Sequence, residues 1–406
     1  MTDDPVPALF SPAFLRNPYP TYREHRKGPR VQRLEIRPNS YAMFRYADCL
    51  EWFRDPRLTA ERKPSFWVNA ECSDLTVFDD LINHMQRWLL FQGPARHAVL
   101  RKAMNAGFSP SVIEELKPRI AQIVDELVRS FPENDSVDLI KDFAYPLPVY
   151  VICALLGVPD SLRPRMVALS TDFATWFGNP RRTPESSAIA QSAIRELVAH
   201  FADITRSRHE AGDDLLGLLL RAAADEAVGM SEAELHAQCV MLLIAGHETT
   251  RNLIGNGLYS LLTHPDQWEQ LRQAPDLVRG AIEETLRYES PVQNISRTVT
   301  QPLDIVGVRI PTGASLMFML GSAHRDEQQF TDPERFDIRR AHLRHVGFGG
   351  DAHVCLGSTL ARLESQMAIG ELVRRFATIE LRNSEPQWSP VFTLRGLKEL
   401  RVTCAR

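Results

Sequence analysis

The chain has 406 residues, of which 44% are hydrophobic and 24% are charged, proportions typical of a folded globular protein. Its 47 Lys and Arg against 51 Asp and Glu give a formal net charge of −4, which argues against a dedicated binder of nucleic acid or anionic membranes. The first residues lack a basic and apolar leader, and the longest uncharged run, 143–159, holds three prolines and is too short to span a bilayer. We therefore expect a cytoplasmic protein without a membrane anchor.

The cysteines and the linker pattern also bound the fold. Six cysteines lie far apart and none forms a CxxC pair, so we expect reduced thiols rather than a disulfide framework. No Gly/Ser linker, low-complexity tract or fixed-period repeat divides the chain. The sequence predicts one domain over residues 1–406.

Helices are predicted to dominate between about Pro110 and Ala274. Apolar residues recur there at three- and four-residue steps, as in Ile113–Phe131 and Ala188–His209. Short β-branched or aromatic runs between Gly and Pro predict strands at Tyr41–Phe44, Leu303–Ile310 with a turn at Gly307, and Ser315–Met319. The predicted fold class is mainly α with small β-sheets.

One predicted helix is unusually long. Ser231 and Glu234 have the spacing of a capping box, and the helix that they open need not stop before His264-Pro265, about 30 residues on. Its apolar run 240–245 is followed by the polar notch Gly246–Thr250, after which apolar residues resume. A turn facing solvent is the alternative interpretation, but apolar residues flank both sides of the notch.

Chemistry can be argued from the notch itself. The Thr249 hydroxyl can bond the carbonyl four residues back, that of Ala245, and so bend the helix. Gly246 leaves space beside that bend for a small ligand. An acid, Glu248, and a hydroxyl side by side in a dry interior suit a reaction that consumes protons.

Two features of the C-terminal half precede its glycine-rich cysteine loop: a pair of opposite charges and a long irregular segment. Glu284 and Arg287 lie three residues apart on one helical face, a spacing also common in solvated surface pairs. His324–Gly350 shows almost no periodicity, and a compact domain seldom tolerates so long an irregular segment without a functional reason.

A glycine-rich loop, 347–357, ends in a cysteine that opens a helix. Leu356, Leu360, Leu363 and Met367 give that helix one apolar face, which places Cys355 at or near its N-terminus. Unpaired amides there favour a thiolate, so we expect a lowered pKa and readiness to bind a metal. Flanking glycines would let a flat macrocycle approach the backbone. A buried structural cysteine and a zinc site with His342, His345 and His353 are the alternatives, although the spacings fit no common zinc pattern.

This loop resembles the haem-binding signature of the cytochrome P450 family, Phe-Gly-x-Gly-x-(His/Arg)-x-Cys-x-Gly. The matching residues are Phe348, Gly349, His353, Cys355 and Gly357. The second glycine of the pattern is replaced by Asp351, with Gly350 one residue earlier; Asp is among the few residues that tolerate a positive φ. The resemblance implies haem b bound through the Cys355 thiolate.

The resemblance extends from about Asn17 to Leu397 and assigns further roles. Ala245–Thr249 matches the oxygen-activation motif, which implies that Glu248 admits protons from solvent and that Thr249 holds the reacting oxygen by a hydrogen bond. Glu284 and Arg287 match a buried pair that is joined by an arginine of the irregular segment, matched here by Arg335. A desolvated network of this kind would hold that segment behind the haem. Ala245 also lies among the cofactor-binding residues, and the implied partners of the haem propionates are His97, Arg101, Arg297 and His353.

The implied substrate pocket is rich in apolar and aromatic side chains, although such residues also fill ordinary cores. It comprises Phe66, Trp67, Phe78, Trp88, Leu242, Val292, Asn294, Ile295 and Phe392, together with Ala245. The resemblance therefore implies a monooxygenase that inserts one atom of O2 into a lipophilic small molecule, natural-product or fatty-acyl. A peroxide-driven or non-oxygenating haem-thiolate catalyst and a haem-based sensor remain the alternatives.

Electrons for such a reaction would come from a separate ferredoxin and its reductase, themselves supplied by NAD(P)H, and we expect the chain to act as a monomer. Several cations near the cysteine loop or the predicted haem helix are candidates to steer an acidic ferredoxin. They are Arg101, Lys102, Arg339, Arg340, Arg344 and Arg362.

Overall fold

The computed structural model describes residues 9–405 apart from 10, 36–37, 63–77, 133–135, 179–181, 209–211, 213, 342 and 383–384. Helix dominates the described part of the chain, as predicted. The helices are α1 Pro12–Arg16, α2 Tyr19–Lys27, α3 Tyr46–Trp52, α4 Asp79–Gln86, α5 Pro94–Asn105, α6 Pro110–Arg129, α7 Pro146–Leu155, α8 Arg163–Gly178, α9 Pro184–Ser207, α10 Leu215–Ala224, α11 Glu232–Leu262, α12 Pro265–Gln273, α13 Val278–Tyr288, α14 Leu320–Ala323 and α15 Ser358–Arg375.

The strands are short and form small sheets. They are β1 Gln32–Leu34, β2 Ser40–Met43, β3 Leu58–Thr59, β4 Ser136–Asp138, β5 Ile295–Val299, β6 Leu303–Ile305, β7 Val308–Ile310, β8 Ser315–Phe318, β9 Thr378–Leu381 and β10 Arg401–Ala405. One sheet has the order β1-β2-β8-β5-β3, a second has the order β4-β10-β9, and β6 and β7 form a hairpin. All three predicted strand regions are confirmed, including the turn at Gly307, which has a φ of 80°.

Helix α11 runs through the centre of the molecule. Its 31 residues extend over about 46 Å at 1.5 Å per residue. The predicted capping box opens it: Ser231 Oγ accepts from the Glu234 amide, and Glu234 Oε2 accepts from the Ser231 amide. Pro265 cannot extend the helix and begins α12 instead. Most of α11 is buried in the largest apolar cluster, to which α4–α10, α13 and α15 contribute.

A second apolar cluster covers the five-stranded sheet, and a smaller one joins α1 and α2 to that sheet. None of the helices in the described residues combines the length and apolar character needed to cross a bilayer. The five described cysteines are unpaired, while Cys72 lies outside the described residues.

A fully buried ion pair organises the irregular segment. Glu284 and Arg287 of α13 both have side chains that are 0% exposed, and they form a bidentate pair with N–O distances of 2.7 and 2.8 Å. Arg287 also donates to the carbonyls of His324, Pro333 and Arg335. The segment 324–350 has no helix or strand among its described residues, so this network supplies the hydrogen bonds that regular structure would otherwise provide.

The third cation of this network is Arg340, and the prediction of Arg335 was wrong. Arg340 Nε lies 3.1 Å from Glu284 Oε2, and its other nitrogens donate to the carbonyls of Thr331, Asp332 and Arg335. The Arg335 side chain is 64% exposed and lies 3.8 Å from Asp337. Arg335 contributes only its carbonyl, because the turn at 332–335 directs its side chain to solvent.

We predict that Arg340→Ala destabilises the protein far more than Arg335→Ala. The first change leaves a fully buried carboxylate with one cation fewer, and we expect it to lower the free energy of unfolding by about 3 kcal/mol. The second removes an exposed side chain and should cost no more than about 0.5 kcal/mol. Denaturant unfolding followed by circular dichroism measures both, and equal losses would contradict the assignment of Arg340.

Candidate functional site

The backbone of the cysteine loop is left-handed at the first two glycine positions of the family pattern, and one of these positions holds another residue. Gly349 has a φ of 73° and Asp351 has a φ of 56°, so Asp351 occupies a left-handed position where the family pattern has glycine. Gly350 is extended, and an added Cβ would lie 2.7 Å from a Phe53 ring carbon. The Cys355 amide donates to the Phe348 carbonyl at 2.8 Å and closes the loop.

The thiol of Cys355 lies three residues before α15. Burial among the surrounding protein raises its pKa, whereas the hydrogen-bonding amide of Gly357 and the charges of Arg101 and Arg362 oppose that rise. For the protein groups alone this direction is opposite to the one expected from the helix N-terminus, because the contribution of burial is larger than those of one amide and two cations.

Side chains from several elements hold the loop in place. His324 Nε2 accepts from the Val346 amide at 3.0 Å, and His345 Nδ1 accepts from the Gly347 amide at 3.1 Å. Glu283 of α13 bonds both His345 and Arg362, and these two partners hold its pKa down at about 2. The Arg362 guanidinium in turn lies 4.4 Å from the centre of the Phe348 ring.

The polar notch of α11 also has the predicted geometry. Thr249 Oγ1 donates to the Ala245 carbonyl at 2.8 Å. Glu248 is largely buried and pairs with Arg251 at 2.9 Å. His247 is fully buried, with Nδ1 2.6 Å from Ser170 Oγ on α8, and burial lowers its pKa to about 4.

Accessible positions occur both in the notch and in the cysteine loop. Ala245 is exposed although Ile244 and most other residues of α11 are buried. Cys355 is exposed and Val354 is 42% exposed. An exposed residue on a central, otherwise buried helix is unusual in a closely packed interior.

Basic groups gather beside the cysteine loop, and among the described residues none of them forms a salt bridge with a carboxylate, although Asp351 is near His353. The His97 and His353 rings lie 4.1 Å apart, and burial lowers the pKa of both, that of His353 to about 3. Arg101 donates to the Val354 carbonyl at 2.7 Å. Arg297 donates to the Ser296 carbonyl, and burial lowers its pKa to about 10.

This donor set fits haem. A flat macrocycle with a metal and two carboxylates needs a metal ligand and cationic partners, and the exposed Cys355 thiol and the basic groups near His353 supply both. His97 and Arg101 come from α5, Arg297 from β5, and His353 from the loop, so tertiary structure brings all four predicted propionate partners together.

The predicted pocket residues divide into several groups. Phe66 and Trp67 lie outside the described residues. Leu242 is 6% exposed on α11, three residues before Ala245, and Phe78 is 7% exposed. Val292 and Ile295 are half-buried, while Asn294 is buried and donates to the Phe392 carbonyl.

Two predicted pocket residues lie in aromatic clusters. Phe392 packs against Phe14, with ring centres 6.0 Å apart, and belongs to the N-terminal apolar cluster. Trp88 is 1% exposed, with its ring centre 5.3 Å from that of Phe173 and 6.1 Å from those of Phe91 and Phe177. Aromatic packing covers both side chains, and their contact with a substrate stays a prediction.

The zinc alternative has no support among the described residues, where no group of three or more His, Cys, Asp or Glu is placed to hold a metal. His345 is hydrogen-bonded to Glu283 instead, and His342 lies outside the described residues.

Two residues near the site, Arg251 and Glu364, were not predicted from the sequence. Glu364 of α15 is buried, its Oε2 has no hydrogen-bond partner in the described structure, and burial raises its pKa well above the ordinary value. A charged residue on the apolar face of α15, between Leu360 and Ala368, was the available signal.

Comparisons with known proteins agree with this geometry. The family model for Cytochrome P450 matches residues 160–396. The chain is 39% identical to Cytochrome P450 107B1 of Saccharopolyspora erythraea over 99% of both chains. It is 37% identical to Cytochrome P450 monooxygenase PikC of Streptomyces venezuelae, over 97% of this chain and 92% of that one.

A solved structure is similarly close. The crystal structure of myxobacterial cytochrome P450 CYP267B1 in complex with myristic acid has a TM-score of 0.88 and 36% identity, over 98% of both chains. Similarity at this level extends over the whole fold, including the elements that carry the cysteine loop and the notch.

We predict that Cys355→Ala abolishes the thiolate type of carbon monoxide spectrum in the reduced, haem-loaded protein, because this side chain is the only proposed sulfur ligand. Cys404→Ala, at a half-buried position of β10, is the matched control and should leave that spectrum unchanged. A thiolate-type spectrum that persists in the Cys355 variant would refute the assignment.

Proposed function

This chain belongs to the cytochrome P450 family, and we propose that it is a monooxygenase acting on a lipophilic small molecule of the natural-product or fatty-acyl class. Proteins of the family are oxidoreductases that bind haem b. The proposed reaction takes a substrate RH, O2, two electrons and two protons to ROH and water. The observation that supports it is the notch of α11, where Ala245 is exposed and Thr249 bonds its carbonyl, together with the exposed thiol of Cys355 in its loop.

Haem bound through Cys355 would supply the activation of oxygen. The residues of the chain have separate tasks around it. Arg101, Arg297, His97 and His353 would pair with the propionates and fix the plane of the ring. Thr249 presents a hydroxyl whose bond to the Ala245 carbonyl sets its direction. Glu248, which is 16% exposed, would pass protons from solvent toward that hydroxyl.

The apolar pocket candidates support a lipophilic substrate. Leu242, Val292 and Ile295 lie on the elements that also carry the notch and Arg297, namely α11 and the stretch of 292–299 that includes β5. A relative of similar fold binds myristic acid, which makes that fatty acid the first probe.

A separate ferredoxin and reductase are proposed as the electron donors, in the cytoplasm, with the chain as a monomer. The structure reduces the set of cations available for docking. Arg340 and Arg362 pair with Glu284 and Glu283 respectively, whereas Lys102, Arg339 and Arg344 are exposed. Exposed cations beside the cysteine loop suit an acidic partner.

We predict that the haem-loaded protein, supplied with a surrogate ferredoxin, its reductase and NADH, converts myristic acid to a product that carries one atom from isotopically labelled dioxygen. Mass spectrometry measures the label. The proposal is wrong if myristic acid and a panel of macrolide and terpenoid compounds yield no labelled product while reduction of the protein proceeds.

Thr249→Ala tests the role of the notch in the same assay. Loss of the hydroxyl should divert electrons to hydrogen peroxide and lower product per NADH several-fold, with haem content unchanged. Thr250→Val is the matched control, because Thr250 is buried and adjacent, and it should leave the peroxide yield unaltered. The same coupling in all three proteins would contradict the role of Thr249.

We predict that Arg344→Glu raises the apparent KM for an acidic ferredoxin. The effect should be strongest at low ionic strength, because added salt screens the attraction between the two proteins. Arg309→Glu changes the net charge equally on the exposed face of the β6–β7 hairpin and serves as the control. Steady-state kinetics across a salt series measures both; equal effects would argue against docking at Arg344.

A further inference from the structure

Arg251 holds the acid of the notch through contacts on three sides. Its Nη1 lies 2.9 and 3.0 Å from the two carboxylate oxygens of Glu248. Its Nη2 donates to the Leu397 carbonyl at 3.1 Å, and its guanidinium carbon lies 4.9 Å from the centre of the Tyr145 ring. Both charged side chains are largely buried, at 14% for Arg251 and 16% for Glu248.

Residues of α8 hold the Tyr145 ring against which Arg251 packs. The Tyr145 hydroxyl is hydrogen-bonded to Thr171 Oγ1 of α8. The preceding residue of α8, Ser170, bonds His247 Nδ1, and the His247 ring meets the Tyr145 ring at a centroid distance of 4.8 Å. Tyr145 is therefore held from two sides, and Arg251 has little freedom to move while it lies on that ring.

The two polar groups of the notch, Glu248 and Thr249, each form a hydrogen bond with a different partner. The Thr249 hydroxyl donates to the Ala245 carbonyl, while both carboxylate oxygens of Glu248 accept from Arg251. Glu248 must therefore leave Arg251 and take up a proton from solvent before it can pass that proton toward Thr249. Giving up this proton regenerates the carboxylate, which can then pair with Arg251 again, so that one proton moves from solvent to the notch in each cycle.

We propose that Arg251 is a positioning residue for proton delivery, which holds the Glu248 carboxylate on the Tyr145 and Leu397 side of α11 between proton transfers. This inference rests on the proposed function, because Arg251 acts only through Glu248. An ordinary ion pair on a helix surface needs neither a carbonyl nor an aromatic ring to hold its arginine. Arg272 and Glu269 of α12 form one with the same spacing, with side chains 38% and 52% exposed.

The test uses the haem-loaded protein with NADH, a surrogate ferredoxin and its reductase, and dioxygen as the only acceptor, so that no substrate has to be identified. The quantity measured is the fraction of electrons recovered as hydrogen peroxide. Arg251→Gln should raise it several-fold and should alter the solvent deuterium isotope effect on NADH use. Arg251→Lys, which keeps the charge, should restore most of the wild-type value, and Arg272→Gln should match wild type.

A double-mutant cycle separates positioning from a merely structural role. In a Glu248→Gln background, Arg251→Gln should add nothing to the peroxide fraction. Infrared difference spectroscopy of the resting protein gives a readout that does not depend on activity: the carboxylate band lost in Glu248→Gln should be shifted in Arg251→Gln and unshifted in Thr249→Ala.

The outcomes distinguish failure of this inference from failure of the proposed function. Additive effects in the double variant, or an unshifted carboxylate band in Arg251→Gln, would overturn the role of Arg251 and leave the monooxygenase assignment intact. A Glu248→Gln variant with the wild-type peroxide fraction would remove the acid from the mechanism and the inference with it.

Discussion

The buried pair of Glu284 and Arg287 is the interaction on which the rest of the site depends. Two opposite charges at 0% exposure are stable only when every polar atom around them is satisfied, and the carbonyls of the irregular segment supply those partners. The segment therefore has one conformation despite its lack of helix and strand. That conformation presents the loop of Cys355, which His324 and His345 then secure at its first residues.

Exposed positions and unpaired basic groups mark the proposed cofactor site. Close packing is the rule in protein interiors, yet Ala245 on the central helix and Cys355 in its loop are exposed. The basic groups near His353 include Arg297, whose guanidinium has no carboxylate partner in the described structure. An anionic group that binds these cations in the folded protein would stabilise the folded state. Retention of the cofactor is thereby linked to folding.

The proposed positioning of Glu248 involves residues that are distant in sequence. Glu248 and Arg251 share α11, but the Tyr145 ring that Arg251 covers precedes α7, and the hydroxyls of Ser170 and Thr171 come from α8. A shift of α8 would therefore move the Tyr145 ring and change the contact between Arg251 and Glu248.

By itself the sequence determined the local features: the capping box at Ser231, the extent of α11, the Thr249 hydrogen bond, and a loop in which Asp351 takes a left-handed conformation. Each of these depends on residues within a few positions of one another. Only tertiary structure decided that Arg340 rather than Arg335 completes the ion network, that Phe392 and Trp88 are covered by aromatic packing, and that Arg251 holds Glu248 against Tyr145. Those outcomes depend on which way a side chain turns when distant segments of the chain meet.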